Sequence, residues 1–427
     1  MIQEPQEQAQ HEVAEYWELD RPEPKVAYIM SRFPKLTETF ILFEMGAIEL
    51  DQMQVELYPL LREKTNVMHP EAKAWVERAH YTPFFSVPIL WAQLHYLFLR
   101  PKAYFGALAT LIRSTWGSAN FLIGGLGIFP KSAYFAWQME LSSVQHVHAH
   151  FANHPAAAAF IIHRLTGIPY SFTAHGSDLH MDRHMLREKV ADAAFVAAIS
   201  SYNRDLILED AGQQYADKVE VIHCGVDTSV FQPIEPSEDD GILSLLCIGT
   251  LHEVKGQEYL IEACRLLRER GVAVRCRFVG DGPDHAMLEQ RIAAAGLGDQ
   301  VELLGRRTRE QIAALLRETD VLVTPSVPTK SGKREGIPVV LMEGMASGVP
   351  VVASGISGIP ELVDDQQSGL LTPPRDPQAL ADALERLAKK PAERRRFGLA
   401  GRAKVERDFD LRRNTRLLIE RFLRSMD

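Results

Sequence analysis

Cysteine is scarce, with 4 in 427 residues. Cys224, Cys247, Cys264 and Cys276 sit in mostly apolar surroundings without Cys-x-x-Cys spacing. That argues against a disulfide framework or zinc ribbon and predicts buried thiols, as in a reducing cytoplasm. Long apolar runs are also missing, none reaching the roughly 18 residues of a spanning helix. Residues 1–24 are acidic and glutamine-rich with no apolar core, unlike a secretory signal. They read as an N-terminal extension. An excess of basic residues is absent too. The formal net charge of −9 gives no case for nucleic acid binding.

One absence is local. No Asp or Glu occurs from Arg78 to Met139, although Arg78, Arg100, Lys102, Arg113 and Lys131 do. The same stretch holds 14 of the chain's 35 aromatics, Trp91, Tyr96, Phe98, Tyr104, Trp116, Phe121 and Trp137 among them. Basic, aromatic helices of this kind lie in a bilayer interface, where Lys and Arg attract anionic lipid. A buried helical subdomain with incidental charge is the other reading. The expectation is a helical insert near 78–139 that meets an anionic membrane surface.

The rest of the chain alternates strand and helix signals. Lys25–Met30 reads as a strand, followed by a loop from Ser31 to Thr37 and an amphipathic helix. Strands Val55–Leu60, Gln145–His150, Pro169–Thr173, Ala194–Ser200 and Lys218–His223 follow. Residues 233–241 are polar, acidic and proline-containing, which suits an interdomain linker. The rhythm restarts with strand Ile242–Ile248, helix Gln257–Glu269, strand Val272–Val279, helix Asp284–Ala295 and strands Gln300–Leu304 and Asp320–Val323. The predicted fold class is α/β, with two doubly wound Rossmann-like domains facing a cleft. Residues 25–232 form the first and 242–405 the second. An amphipathic segment within 406–427 carries Leu417, Leu418, Phe422 and Leu423 on one side.

Candidate site residues cluster at predicted strand ends. The segment Arg334-Glu335-Gly336-Ile337-Pro338-Val339-Val340-Leu341-Met342-Glu343 places two carboxylates around a strand-to-helix junction. A helix starting near Gly336, with Pro338 in its first turn, would offer Ile337 and Val339 amides to an anion. The span suits a diphosphate between two hydroxyl-rich groups, as in a nucleotide-sugar. Gly249, Thr250 and Lys255 end the strand of the second half, where a glycine turn and a lysine can hold a diphosphate. A Lys-Gly pair before a helix also serves as a solvated turn. Gly280, Gly282, Leu304 and Gly305 fall at further strand ends, where a base or ribose could pack; turns need glycine anyway. In the first half, His175 and Asp178 lie in Phe172-Thr173-Ala174-His175-Gly176-Ser177-Asp178. His175 could bond a sugar hydroxyl or a phosphate, or be a structural histidine. Arg32 and Lys35 in the first loop could meet phosphate, with Thr37 as an N-cap. His146, His148 and His150 share one strand face. With no carboxylate nearby in sequence, packing rather than metal binding is expected there.

Together these motifs resemble the family 4 retaining glycosyltransferases of the GT-B fold, over roughly residues 25–425. Gly249…Lys255-Gly256, Gly280-Asp281-Gly282-Pro283, Glu335 through Glu343, Gly358-Ile359-Pro360-Glu361 and Ser368-Gly369-Leu370-Leu371 carry the resemblance in the second half. Ser31-Arg32-Phe33-Pro34-Lys35 and His148-Ala149-His150-Phe151 point to a branch of colanic-acid and exopolysaccharide transferases. The resemblance implies a nucleotide-sugar donor on the second domain and a lipid-linked or polysaccharide acceptor on the first. It implies Glu335 at the donor sugar, Glu343 on the ribose, Lys255 on the diphosphate and His175 near the anomeric carbon. It further implies no cofactor or metal, and a final helix that crosses back to the first domain. A peripheral location on the inner membrane face is expected. One departure stands out: Thr250 occupies a position where the family usually has arginine. Lysine cannot replace a bidentate partner. Arg32, Lys35, Lys333 or Arg334 would have to compensate, and a non-catalytic scaffold member remains an alternative reading. A sugar-nucleotide epimerase on the same fold is a second.

Overall fold

The computed structural model describes residues 23–35, 38–64, 68–83, 85–180, 182–233 and 241–427. Residues 1–22 of the N-terminal extension, Thr37 and most of the 233–241 segment lie outside the described residues. Two six-stranded parallel sheets organise the chain. The first contains β1 (Lys25–Phe33), β2 (Gln54–Arg62), β3 (His146–His150), β4 (Tyr170–Ala174), β5 (Phe195–Ala198) and β6 (Val219–Val221). The second contains β7 (Leu243–Ile248), β8 (Val274–Val279), β9 (Val301–Leu303), β10 (Val321–Thr324), β11 (Val351–Ser354) and β12 (Gly369–Thr372). Strands such as β4, β7 and β10 are buried along their whole length, as helices on both faces of a parallel sheet demand.

Strand order is β2-β1-β3-β4-β5-β6 in one sheet and β12-β11-β10-β7-β8-β9 in the other. Each order reverses once, between β1 and β3 and between β7 and β10. Open sheets bind ligands outside the carboxyl ends of strands at such points. The chain crosses from the first sheet to the second along residues 225–231 and returns beside itself. Val226 N–H donates to Phe409 O at 2.9 Å and Leu411 N–H to Val226 O at 3.0 Å. Arg402 clamps the crossing through the carbonyl oxygens of Ala346 and Thr228, at 2.6 and 3.1 Å. The final helix, Leu411–Met426, then packs on the first sheet. Its Phe422 lies against Tyr28, His146 and His148, while Leu417 and Leu423 stay exposed.

Helices Val87–Leu99, Pro101–Thr115 and Ala119–Leu141 form the insert. Its inner face, including Tyr96, Leu111, Ile128 and Phe129, joins the first core. The outer face stays apolar, with Phe98 75% and Trp116 74% exposed. Of its five expected positive charges only Lys131 turns inward, while Arg78, Arg100, Lys102 and Arg113 stay exposed. Lys131 is buried and donates to Leu60 O at 2.6 Å. Arg78 pairs with Glu49 at 2.7 Å and Arg100 with Glu140 at 2.9 Å.

The two halves meet backbone to backbone. A Cβ on Gly336 would stand 2.5 Å from His175 O, and one on Gly176 3.3 Å from Gly336 Cα. Beside this contact, the Glu361 carboxylate of the second half accepts from Ser201 N–H at 2.8 Å and Tyr202 N–H at 3.0 Å. These amides open the helix Ser201–Ala211 of the first half. A carboxylate there satisfies orphan donors and complements the helix dipole. Glu361→Ala should lower unfolding stability by about 1 kcal/mol, as loss of a cap does. Small-angle scattering should show a larger radius of gyration for that variant. An unchanged radius would mean the contact does not hold the halves together.

Candidate functional site

A cleft of about 520 Å³ lies where the two reversal points face each other. From the first half it is lined by Lys35, Glu38, Phe40, Phe43, Phe151 and His175. From the second it is lined by Gly249, Thr250, Lys255, Arg309, Lys333, Arg334, Glu335 and Glu343. The volume and the mix of aromatic walls with few convergent polar groups suit a small-molecule site.

Lys255 follows a tight turn after β7. Gly256, with φ +65°, closes that turn so near Pro325 that a Cβ would lie 2.0 Å from its carbonyl oxygen. The Lys255 ammonium reaches across to the Glu335 carboxylate at 2.7 Å, both side chains being under a fifth exposed. The cation and the anion that a charged ligand would need are therefore held ready against each other. Breaking such a pair without a replacement partner is costly, so a ligand must supply the missing charge.

The helix expected near Gly336 begins at Val339 and runs to Ala346. Pro338 is its extended N-cap, not a residue of its first turn, with φ −66° and ψ 125°. Residues 335–338 are therefore a loop that lies along the cleft, and the free first-turn amides start at Val339. Glu343 lies one turn further on. Burial raises its carboxyl to about 7, against a smaller lowering by the nearby Arg309 charge.

Arg309 was not legible as a site residue, nor was Glu38, although both line the cleft. Arg309 opens helix Arg309–Arg317 behind a capping box of Thr308 and Gln311, a signal the sequence does contain. Its guanidinium stacks on Phe43 of the first half at 4.1 Å. The Nε of Arg309 and the Oε2 of Glu38 are buried with no protein partner. Burial raises the Glu38 carboxyl despite the neighbouring Lys35.

Other sequence candidates divide. Gly336, Ile337, Pro338 and Val339 line the cleft with Gly249 and Thr250. Gly280 and Gly282 lie behind that wall, where a Cβ would meet Gly249 O at 1.9 Å or Leu251 O at 2.3 Å. Gly305 is tied to the same layer, accepting from Gly280 N–H at 3.0 Å, and Leu304 packs into the second core. Asp178 does not point at a ligand. Its buried carboxylate accepts from Ala152, His175 and Gly176 amides at 2.6, 3.0 and 2.7 Å and so shapes the His175 loop. Arg32 is directed away, because β1 continues through Phe33 and leaves Arg32 3.8 Å from Glu63. Lys35 reaches the cleft rim but is paired with Glu38 at 2.5 Å.

The histidine face of β3 is fully engaged. His146 and His148 bond Ser171 at 2.7 Å each, and His148 bonds Thr173 at 3.0 Å. The expectation of no nearby carboxylate fails in three dimensions. Glu44, on helix Thr39–Leu50, reaches His150 Nε2 at 3.1 Å, and Glu44, His148 and His150 gather closely enough to resemble a metal site. Every ring nitrogen of the two histidines has a protein hydrogen-bond partner, so a metal would have to displace these bonds.

Glu343 sets a pH dependence. Its folded-state value lies above the ordinary 4.5 of the unfolded chain. Between about 4.5 and 7 the unfolded state loses that proton while the folded state keeps it. Its contribution to stability is therefore full at low pH and is lost as pH rises through about 7. Denaturant midpoints across this range should fall more steeply for the natural protein than for Glu343→Gln. Parallel curves would contradict the raised value.

Comparison with known proteins agrees with this architecture. Residues 231–404 match the family model described as glycosyl transferases group 1, and residues 117–230 the one described as glycosyltransferase family 4. The chain is 40% identical over 200 residues to a putative colanic acid biosynthesis glycosyltransferase, WcaL, of Escherichia coli; the match covers 45% of this chain and 48% of that one. It therefore spans about half the length of that relative. The chain is 30% identical over 278 residues to an alpha-D-kanosaminyltransferase of Streptomyces kanamyceticus, covering 59% of this chain and 70% of that one. The structure of Anabaena Alr3699/HepE in complex with UDP superposes with a TM-score of 0.70 at 18% identity, covering 93% and 98% of the two chains. That likeness shows a shared fold. With two parallel sheets about a cleft, a returning C-terminal helix and these matches, the chain belongs to the family 4, or group 1, glycosyltransferases of the GT-B fold.

Proposed function

We propose that this protein is a retaining, metal-independent glycosyltransferase. It moves a sugar from a nucleotide diphosphate donor to a polysaccharide or lipid-linked acceptor at the cytoplasmic membrane face. The observation that carries the reading is the Lys255–Glu335 pair, 2.7 Å long, on the wall of a cleft that His175 lines from the other side. A donor diphosphate takes the Lys255 ammonium from Glu335. The freed carboxylate then stands beside the donor sugar, where positive charge develops as the glycosidic bond breaks. Glu343 accepts from ribose hydroxyls. Arg309, Lys333 and Arg334 supply the positive charge that Thr250 does not, and Arg309 adds the planar fork that a lysine lacks. The acceptor hydroxyl attacks from the face that the diphosphate leaves, and its proton passes to the departing oxygen.

The relatives support the substrate class. The Anabaena structure contains UDP, and WcaL is described for colanic acid biosynthesis. The membrane clause rests on the insert. Ten of the sixteen large hydrophobic side chains exposed among the described residues lie between Phe85 and Leu126. No helix among the described residues is long and apolar enough to cross a membrane. An apolar face of that extent suits the bilayer interface and makes apolar contact its main drive, while the exposed Lys102 and Arg113 add attraction to anionic lipid.

Glu335→Gln should abolish transfer while still binding the nucleoside diphosphate, and Lys255→Ala should weaken that binding about tenfold, the loss of one charge-assisted contact. Calorimetry against UDP, GDP, dTDP and ADP, with donor-consumption assays, checks both. Full transfer by Glu335→Gln would sink the role given to that carboxylate. For the insert, vesicles of neutral and of anionic lipid should both float the protein. Serine at Trp91, Phe98 and Trp116 together should prevent flotation. No flotation of the natural protein on either vesicle would remove the membrane clause.

A further inference from the structure

A single hydrogen-bonded line runs from the interior of the first half to the cleft. Tyr28 donates its phenol to Glu44 Oε1 at 2.7 Å, and His150 Nε2 meets the same oxygen at 3.1 Å. The other nitrogen of His150, Nδ1, faces His175 Nε2 at 3.0 Å. His175 Nδ1 faces Cys224 Sγ at 3.7 Å, and both His175 and Cys224 line the cleft. His150 is fully buried and His175 is 8% exposed.

The two ends of the line decide its direction. Glu44 Oε1 already accepts from the Tyr28 phenol, and as an acceptor it places the His150 proton on Nε2. In the singly protonated ring its Nδ1 is then a bare lone pair. Two lone pairs at 3.0 Å would repel, so His175 must carry its proton on Nε2 and donate to His150. The thiol end agrees. Burial raises Cys224 well above its ordinary value, so it stays S–H and donates to His175 Nδ1. Every proton in the line points toward Glu44. Phe40 and Phe151 hold the His175 ring from the sides, with centroids at 4.8 and 4.7 Å.

We propose that Glu44 and His150 are positioning residues that lock His175 in its Nε2–H tautomer and present its bare Nδ1 to the cleft as an acceptor for a sugar hydroxyl. The weak thiol partner is the bond a substrate hydroxyl exchanges. His175 thus orients the reacting sugar as a neutral acceptor and does not deliver a proton to the leaving diphosphate. Burial, which also holds His175 well below the usual histidine range, acts in the same sense. The sugar clause rests on the proposed function; the tautomer does not.

Long-range proton–nitrogen NMR of the histidine rings tests it on the full chain, with His175 assigned through His175→Gln. The natural protein should show His175 as Nε2–H, neutral at pH 7. Glu44→Leu and His150→Phe should shift His175 to a mixture of tautomers and lower kcat about tenfold. Affinity for whichever of UDP, GDP, dTDP and ADP the natural protein binds should stay within about twofold, since that ligand sits on the other half. Glu44→Gln, which keeps a carbonyl oxygen facing His150, should retain the tautomer. An Nδ1–H or doubly protonated His175 in the natural protein overturns the proposal, even if no variant folds. So does an unchanged tautomer in Glu44→Leu. A locked Nε2–H tautomer in a protein that transfers no sugar from the panel's donors would defeat the functional reading and leave the lock standing.

Discussion

The structure depends on a place where two backbones touch. Gly176 and Gly336 bring the loop after β4 and the loop after β10 together with no room for a methyl group between them. Space requires glycine at 336, and φ +115°, where side chains are strained, requires it at 176. From that contact the cleft takes its depth. His175 lies one residue before Gly176 and Glu335 one residue before Gly336, so the same constraint sets both walls. The Glu361 cap and the paired crossings at Val226 and Leu411 hold the halves at this spacing.

Charge in the cleft is arranged by desolvation as much as by pairing. Lys255 and Glu335 satisfy each other. Glu343 and Glu38 are carboxylates that burial drives toward the neutral form, and Arg309 balances Glu343 in part. A polyanionic ligand with hydroxyl-rich ends would reverse each of these states. It would claim the cations and bring donor hydroxyls to the carboxylates. Charge-assisted hydrogen bonds formed in a shielded cleft are the strong ones.

Much of the fold was legible because buried parallel strands read as short apolar runs between turn residues. Helix Gln257–Glu269 and helix Leu411–Met426 fall where their apolar spacing places them. Misses have local causes. Helix Pro391–Asp408 is half charged and buries only Phe397, Gly398, Gly401 and Val405, so no apolar stripe announces it. Gly398 is close-packed against Gly348 there, a contact that periodicity cannot reveal. The helix after Glu335 starts late because Pro338 takes an extended ψ. Arg32 left the expected site because β1 runs three residues further than its apolar core, to Phe33.

Local spacing by itself determined the two βα halves, the strand ends that carry Gly249 and His175, the strand-to-helix segment that carries Glu335, and the aromatic insert without acids. These follow from backbone geometry and short-range propensity, which a sequence states directly. Tertiary structure alone decided the partners. Lys255 meets Glu335 across 80 residues, and Glu44 meets His150 across 106. It also buried Lys131 of the insert, paired Arg100 with Glu140 and placed Arg309 on Phe43. Such pairings depend on how two sheets twist and dock, and no period along the chain encodes a distance between residues so far apart.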